Sequence, residues 1–267
     1  MRKPSASLLR AALFIALVLA VAILLASRAR HWYRGTLFDA HGSVTAEGHF
    51  PTYTGDISSR QNIPFFMFVG DTQRTSRWER LIGREQNDAG RQAVLDKIAD
   101  ENPAFLVILG DLVFQGDSPT HWPQFDQFAA PIRQKGIPVF PLLGNHEYFG
   151  DHNKAFELFF DRFPHLQRRF WYSIRFGSVA IILLDSNFDE MGRELMDRQD
   201  EWYKATLAEY QRDSAITNII VCCHHAPYTN STVVSDDALV QQHFVEPFKT
   251  TPKAKVFFTG HCHSYER

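Results

Sequence analysis

A layered α/β fold is predicted for this chain of 267 residues by three observations. Short apolar runs recur along it: FFMFVG (65–70), FLVILG (105–110), IPVFPLLG (137–144), VAIILLD (179–185), ITNIIVCC (216–223) and KVFFTG (255–260). Several are continuous rather than alternating, which suits strands buried on both faces. Longer amphipathic stretches separate them, and strands alternating with helices build βαβ units. Nearly every run also ends at a polar residue with a ligating atom, usually behind a glycine. In open α/β sheets, ligands bind beyond the carboxyl ends of the strands.

The elements follow in chain order. Residues 11–27, AALFIALVLAVAILLAS, carry no charge, and Arg2, Lys3 and Arg10 precede them. From Leu8 to Ser27 a helix would be about 30 Å long, enough to cross a bilayer. The pattern also fits a signal peptide, with a weak cleavage site at Ser27-Arg28-Ala29. The expectation is an uncleaved membrane anchor over residues 1–35 with the rest of the chain outside the cytoplasm. Cleavage would instead give a secreted or periplasmic protein. A core helix is not expected here, because the segment is apolar all round. Residues 36–62, polar and rich in Gly, Thr and Ser, read as a linker and an edge element. The main domain is expected over residues 63–267. Helices are expected near 87–100, 126–135, 153–162, 198–210 and 238–249. The stretch FWYSIRFGSVAIILLD reads as a hairpin around Phe176-Gly177-Ser178, so part of the sheet should be antiparallel. There is no internal repeat.

Composition narrows the function. Hydrophobic residues make up 45% and aromatic residues 13%, a folded and core-rich composition. Six of the 28 basic residues and none of the 30 acidic ones lie in residues 1–35, leaving 22 basic against 30 acidic residues elsewhere. Such an acidic domain is a poor match for nucleic acid and a better one for cations. Cys222, Cys223 and Cys262 are odd in number and lack CxxC spacing, so no disulfide framework is read; they are expected as buried, packing thiols.

The strand ends VGDTQ, LGDLVF, LGNHE, VCCHHAP and TGHCH bring forward Asp71, Asp111, Asn145, His224, His261 and His263. A glycine before a ligand lets the strand turn sharply and the backbone approach closely. Carboxylates, an amide oxygen and imidazoles suit zinc, manganese or iron, and a shared carboxylate can bridge two ions about 3.5–4 Å apart. Singly, each residue has an ordinary reading: Asp71 or Asp111 as a helix N-cap, Asn145 as a turn residue, His261 and His263 as a surface pair. Jointly, at successive strand ends, they read as one site. Asp185, in LLDSN, also ends a run but is given no metal role. Trp171 and the many Phe residues are expected in the core, and His121, His152 and His165 in exposed loops.

In order, GDTQ, GDLVFQGD, GNHE, VCCHHAPY and GHCHSYER resemble the five blocks of the calcineurin-like metallophosphoesterases, over about residues 64–267. The last block resembles the ending typical of purple acid phosphatases. The resemblance implies a four-layer αββα sandwich, two divalent metal ions (Mn, Zn or Fe) and a small phosphorylated substrate. By position, Asp71 and His263 would hold the first ion, Asp111 would bridge, and Asn145, His224 and His261 would hold the second. His146, with Asn145 and His225, would contact the substrate; His146 would stabilise charge and donate a proton to the leaving oxygen. A metal-held hydroxide would be the nucleophile. Of the two adjacent histidines, His224 is preferred as ligand because it comes first after the strand. Glu147, Tyr228, Asn230 and Glu266 read as supporting residues.

The sequence departs from the family pattern at three places. Purple enzymes carry a tyrosine three residues after the bridging aspartate, where this chain has Phe114. Other members carry a histidine two residues after the first aspartate, where this chain has Gln73; its amide oxygen is expected to fill that place. Purple enzymes also have a downstream histidine pair, and here only His243 follows. Family members usually continue beyond the fifth block, so a fragment or an abbreviated domain is expected. The implied activity is dimetal hydrolysis of a phosphate ester, most simply a monoester. The rivals are diester or pyrophosphate hydrolysis at the same site, or a membrane-tethered binding protein without turnover.

Overall fold

The computed structural model describes residues 50–76, 80–81 and 86–266. The expected anchor at 1–35 and most of the expected linker fall outside the described residues. Among the described residues, no helix is long and apolar enough to cross a membrane.

Two sheets form the frame. The first holds β1 (Met67–Val69), β2 (Leu106–Ile108) and β3 (Val139–Pro141), all parallel, with β2 in the centre. The second holds β4 (Tyr172–Phe176), β5 (Val179–Leu183), β6 (Asn218–Cys222) and β7 (Ala254–Phe258) in that order. Only β4–β5 is antiparallel, closed by the turn at Gly177 (φ 56°), where a residue without Cβ takes the left-handed conformation freely. The expected hairpin is therefore present. Each apolar run yielded a strand, but not every strand is buried on both faces. Central β2 is fully buried, whereas edge strand β7 exposes Lys255 and Val256.

Aromatic side chains hold the sheets together. Phe68 meets Phe258 with ring centroids 4.4 Å apart, and Phe105 meets Phe176 at 5.3 Å. Helix α1 (Asp88–Glu101) adds Leu95 and Ile98 to this core, and α2 (His121–Phe128) adds Trp122 and Phe125. A second core lies on the other face of the second sheet. There Ala180, Ile182 and Val221 pack with Tyr203 and Leu207 of the long α5 (Arg193–Arg212).

Two helices differ from expectation, both at prolines. The stretch 126–135 is not one helix: α2 stops at Phe128 and α3 (Ala130–Gln134) restarts with Pro131 in its first turn, because proline has no N–H to continue the ladder. The stretch 238–249 is helical but contains a π-turn at Gln241–Val245, just before Pro247, which has no N–H for the carbonyl four residues back. Helix α4 (His152–Arg162) is capped by Asp151, which accepts from Lys154 N at 3.0 Å.

His121, His152 and His165 are not exposed loop residues. Each is partly buried, and His121 and His152 open helices. The His165 ring packs edge-on to Phe140 at 5.5 Å; an imidazole presents enough apolar edge to pack this way. Trp171 is half-buried against the second core, and Cys222 and Cys223 are buried, unpaired thiols.

Candidate metal centre

The carboxyl ends of β1, β2, β3, β6 and β7 deliver Asp71, Asp111, Asn145, His224, His261 and His263. Their backbones are fastened to one another. Asp71 N donates to Gly110 O at 3.1 Å, Gln73 N to Asp111 O at 2.9 Å, and Gly260 N to His224 O at 3.0 Å. His261 N donates to both oxygens of Asp71, at 2.9 and 3.1 Å.

The sharp turns fall only in part where the sequence placed them: Gly110 (φ 86°) takes the left-handed conformation ahead of Asp111 as expected. Asp71 (φ 56°), Asp111 (φ 54°), His261 (φ 70°) and His263 (φ 51°) themselves take the left-handed conformation, whereas Gly70, Gly144 and Gly260 do not. For residues with a Cβ this costs of order 1–3 kcal/mol each and is found where function over-determines the backbone. The glycines serve close approach instead. A Cβ on Gly144 would stand 2.1 Å from Asp111 Oδ1.

The donor atoms converge on His224, which is fully buried. Its Nδ1 lies 2.8 Å from Leu109 O. A carbonyl only accepts, so Nδ1 carries a proton; when the ring gives up its second proton to a cation, the lone pair lies at Nε2. That Nε2 lies 3.1 Å from Asn145 Oδ1, 3.2 Å from His261 Nδ1 and 3.3 Å from Asp111 Oδ2. Ligands about 2.0–2.2 Å from one ion stand roughly 3.0–3.5 Å from each other, so these spacings fit a shared cation. Asp71, Asp111 and His263 form a second group of donor atoms, mutually within 4.8 Å, as do His224, His225 and His261. Asp71 Oδ1 is 3.6 Å from His263 Nε2, and Gln73 Nε2 is 3.2 Å from the same nitrogen. Gln73 is buried, and its Oε1 has no hydrogen-bond partner. The amide nitrogen is the atom that faces His263, and the orphaned buried oxygen on the same side chain is open to a cation.

Electrostatics point the same way. Burial pushes the His224 imidazole down, but the Asp111 and Asp71 carboxylates outweigh it and hold it up at about 10. Asp111 stays well below the usual carboxylate range despite its burial, because His224 and His146 face it. Burial raises Asp71 to about 6. Burial and the charge on His224 lower His261 to about 4. The centre thus draws positive charge strongly, and a divalent ion meets the same attraction as a proton.

His146 sits beside this cluster. Its Nδ1 lies 2.6 Å from Phe114 O, its Nε2 is 3.8 Å from Asp111 Oδ2, and its N donates to Asp111 Oδ1 at 3.0 Å. The Phe114 and Phe149 rings flank it at 5.1 and 4.6 Å. His225 Nδ1 lies 2.8 Å from Ser186 Oγ. His243 pairs with Asp200 at 2.7 Å.

Sequence reasoning missed Ser186, which accepts from both His224 N (3.2 Å) and His225 N (3.0 Å). Nor did it assign Asp185, which is buried and accepts from Tyr148 OH at 2.5 Å and Asn187 N at 3.0 Å. The available signal was LLDSN, a polar trio at a strand end like the others.

Comparisons with known proteins agree with this geometry. Residues 66–265 match the family described as calcineurin-like phosphoesterase. Purple acid phosphatase 1 of Ipomoea batatas is 26% identical over 227 residues, covering 77% of this chain and 43% of that protein. Purple acid phosphatase 22 of Arabidopsis thaliana is 26% identical over 190 residues, covering 66% and 41%. The chain thus spans about two fifths of the length of these curated relatives. Among solved structures, purple acid phosphatase PPD1 from yellow lupin seeds aligns with a TM-score of 0.54 at 18% identity, over 73% of this chain and 37% of that one. GAP50, the anchor in the inner membrane complex of Plasmodium, aligns at 0.53 and 15% identity, over 74% and 65%.

Proposed function

The chain belongs to the calcineurin-like phosphoesterase family, and from that premise we propose that it hydrolyses phosphate esters, most simply monoesters, at a centre of two divalent metal ions. The helix–sheet–sheet–helix order of its two cores supports reading the fold as the family's four-layer αββα sandwich. One ion would be held by Asp71, Gln73, Asp111 and His263, the other by Asp111, Asn145, His224 and His261. When bound, the ions supply Lewis acidity and lower the pKa of a coordinated water.

The chain's own residues do the rest. Asp111, facing both donor groups, would offset the repulsion between two bound cations. Leu109 O fixes the His224 ring so that Nε2 points into the centre. Phe114 O likewise holds the His146 ring by Nδ1, leaving Nε2 toward the centre. There His146 contacts the phosphate and, when protonated, passes a proton from Nε2 to the departing ester oxygen.

The observation that carries this reading is the set of contacts at His224 Nε2. Three further donor atoms stand at ligand–ligand spacing around one lone pair. That set, with His146 beside it, favours turnover over a binding-only role. The test is metal analysis of the purified protein combined with a panel of phosphate mono- and diesters. Two metal equivalents and metal-dependent monoester turnover are expected. A protein that binds no divalent ion refutes the reading.

A further inference from the structure

Glu147 touches none of the donor atoms, yet its buried carboxylate sits in a nest of backbone N–H groups. Oε2 accepts from Asp111 N at 2.9 Å and Gly144 N at 2.8 Å. Oε1 accepts from Leu112 N at 2.8 Å and Val113 N at 3.2 Å. Three consecutive amides after the left-handed Gly110 (φ 86°) form the kind of concavity that binds anions. Here the anion is a side chain from the neighbouring loop. All four partners are donors. Two acceptor oxygens meet these four donors, so the side chain satisfies the nest in full.

We propose that Glu147 is a positioning residue for the metal centre: its carboxylate clamp holds the ligand-bearing loops in register, without ligation. This rests on the dimetal reading above. The inference follows from what the clamp joins. One carboxylate ties the loop that carries Asp111 to the loop that carries Asn145 and His146. The same two loops are cross-linked by His146 N on Asp111 Oδ1 (3.0 Å) and Gly116 N on His146 O (2.9 Å). The spacing between the shared ligand, a second-ion ligand and the substrate-contacting histidine is therefore set through Glu147. The clamp also satisfies the amide of Asp111 in its strained turn, where an unpaired buried N–H would add its own cost.

Glu147 is 1% exposed, so water does not replace a partner lost from this clamp. Glutamine of the same shape would turn an NH2 group against backbone donors. Aspartate would keep two acceptor oxygens and shorten the reach.

The experiment uses the full chain, metal-depleted and titrated with Mn2+, with stoichiometry and affinity measured by calorimetry and the Mn–Mn coupling by electron paramagnetic resonance. Glu147→Gln should weaken Mn2+ binding by roughly 10–100-fold, the range seen when outer-shell partners of metal ligands are lost. It should alter the coupled spectrum and lower kcat more than it changes KM. Glu147→Asp should bind Mn2+ more tightly than Glu147→Gln. Wild-type affinity and coupling in a folded Glu147→Gln, or Asp binding no better than Gln, overturns the inference. A wild-type protein that binds no Mn2+ overturns the underlying reading instead. Should both variants fail to fold, hydrogen exchange on the metal-free wild type decides. Amides 111–113 and 144 protected like β2 are expected, and free exchange there overturns the clamp.

Discussion

Replacing Asp111 by asparagine probes the shared ligand most directly. Asp111 is fully buried, with Oδ2 at 3.3 Å from His224 Nε2 and 3.8 Å from His146 Nε2. Two unit charges 3.3 Å apart interact by about 5 kcal/mol at an effective dielectric constant near 20. A divalent ion doubles the charge. Against that, the asparagine oxygen restores part of the interaction as a dipole, and removing the carboxylate relieves part of its burial cost. Keeping only half of the single-charge figure leaves roughly 2.5–3 kcal/mol, or about 100-fold in affinity. Because Asp111 faces both donor groups, both ions should be affected. The assay is Mn2+ titration of the metal-depleted variant together with turnover of a generic phosphate monoester. Fewer than two equivalents at concentrations that saturate the wild type, and turnover reduced by about 100-fold or more, are expected. Two Mn2+ bound at wild-type affinity with near-normal turnover would show that Asp111 is not the shared ligand.

Other perturbations separate the remaining roles. His146→Ala should lower kcat by roughly 100-fold or more while metal content stays at two; loss of a metal equivalent would make His146 a ligand. His224 stands at about 10 in the metal-free fold against an ordinary 6.5, and a raised imidazole contributes stability in full below its unfolded value and loses it as pH climbs through its folded one. Metal-free protein should therefore become less stable from pH 6.5 to 10 in denaturant titrations, and a flat profile would count against the acceptor cluster. The iron-loaded, oxidised protein should lack a strong visible band, because Phe114 has no donor atom to serve as a phenolate; Gln73→Ala should weaken the first ion, and unchanged affinity would remove Gln73 from the ligands. Residues 1–35 should keep the expressed protein with membranes through a high-salt wash and release it in detergent, whereas release by salt alone would exclude the anchor.

Much of this molecule is legible from local rules. Apolar runs ending at Gly-Asp, Gly-Asn and Gly-His mark strands, and each run forms one, because continuous Val, Ile, Leu and Phe bury well between layers. Order along the chain also brought the ligating residues together, since parallel strands expose all their carboxyl ends on one side. The misreadings arose where a backbone rule competed with the side-chain pattern. Pro131 and Pro247 interrupt stretches whose apolar spacing looks helical throughout. Burial of β1 and β7 depends on which strands lie at a sheet edge, and no single strand's composition encodes that.

The strained turns explain why the scaffold of the centre was hard to see. A Gly-Asp or Gly-His pair invites the assumption that glycine takes the left-handed turn, since it does so at least cost. At Gly70-Asp71 and Gly260-His261 the candidate ligand takes it instead. This conformation throws the side chain off the strand line toward its neighbours, and only fixed surroundings can hold a residue with a Cβ there. Those surroundings are backbone and side-chain fastenings between loops remote in sequence: Asp71 N on Gly110 O, His261 N on the Asp71 carboxylate, and Asp111 N on Glu147. Each pairs a residue from one motif with a residue from another, so none appears within a motif. They leave other atoms facing the cluster: the Asp111 amide is held while Oδ2 faces His224, and His224 Nδ1 is held while Nε2 faces Asn145. A cluster held this way is organised by contacts within the chain itself.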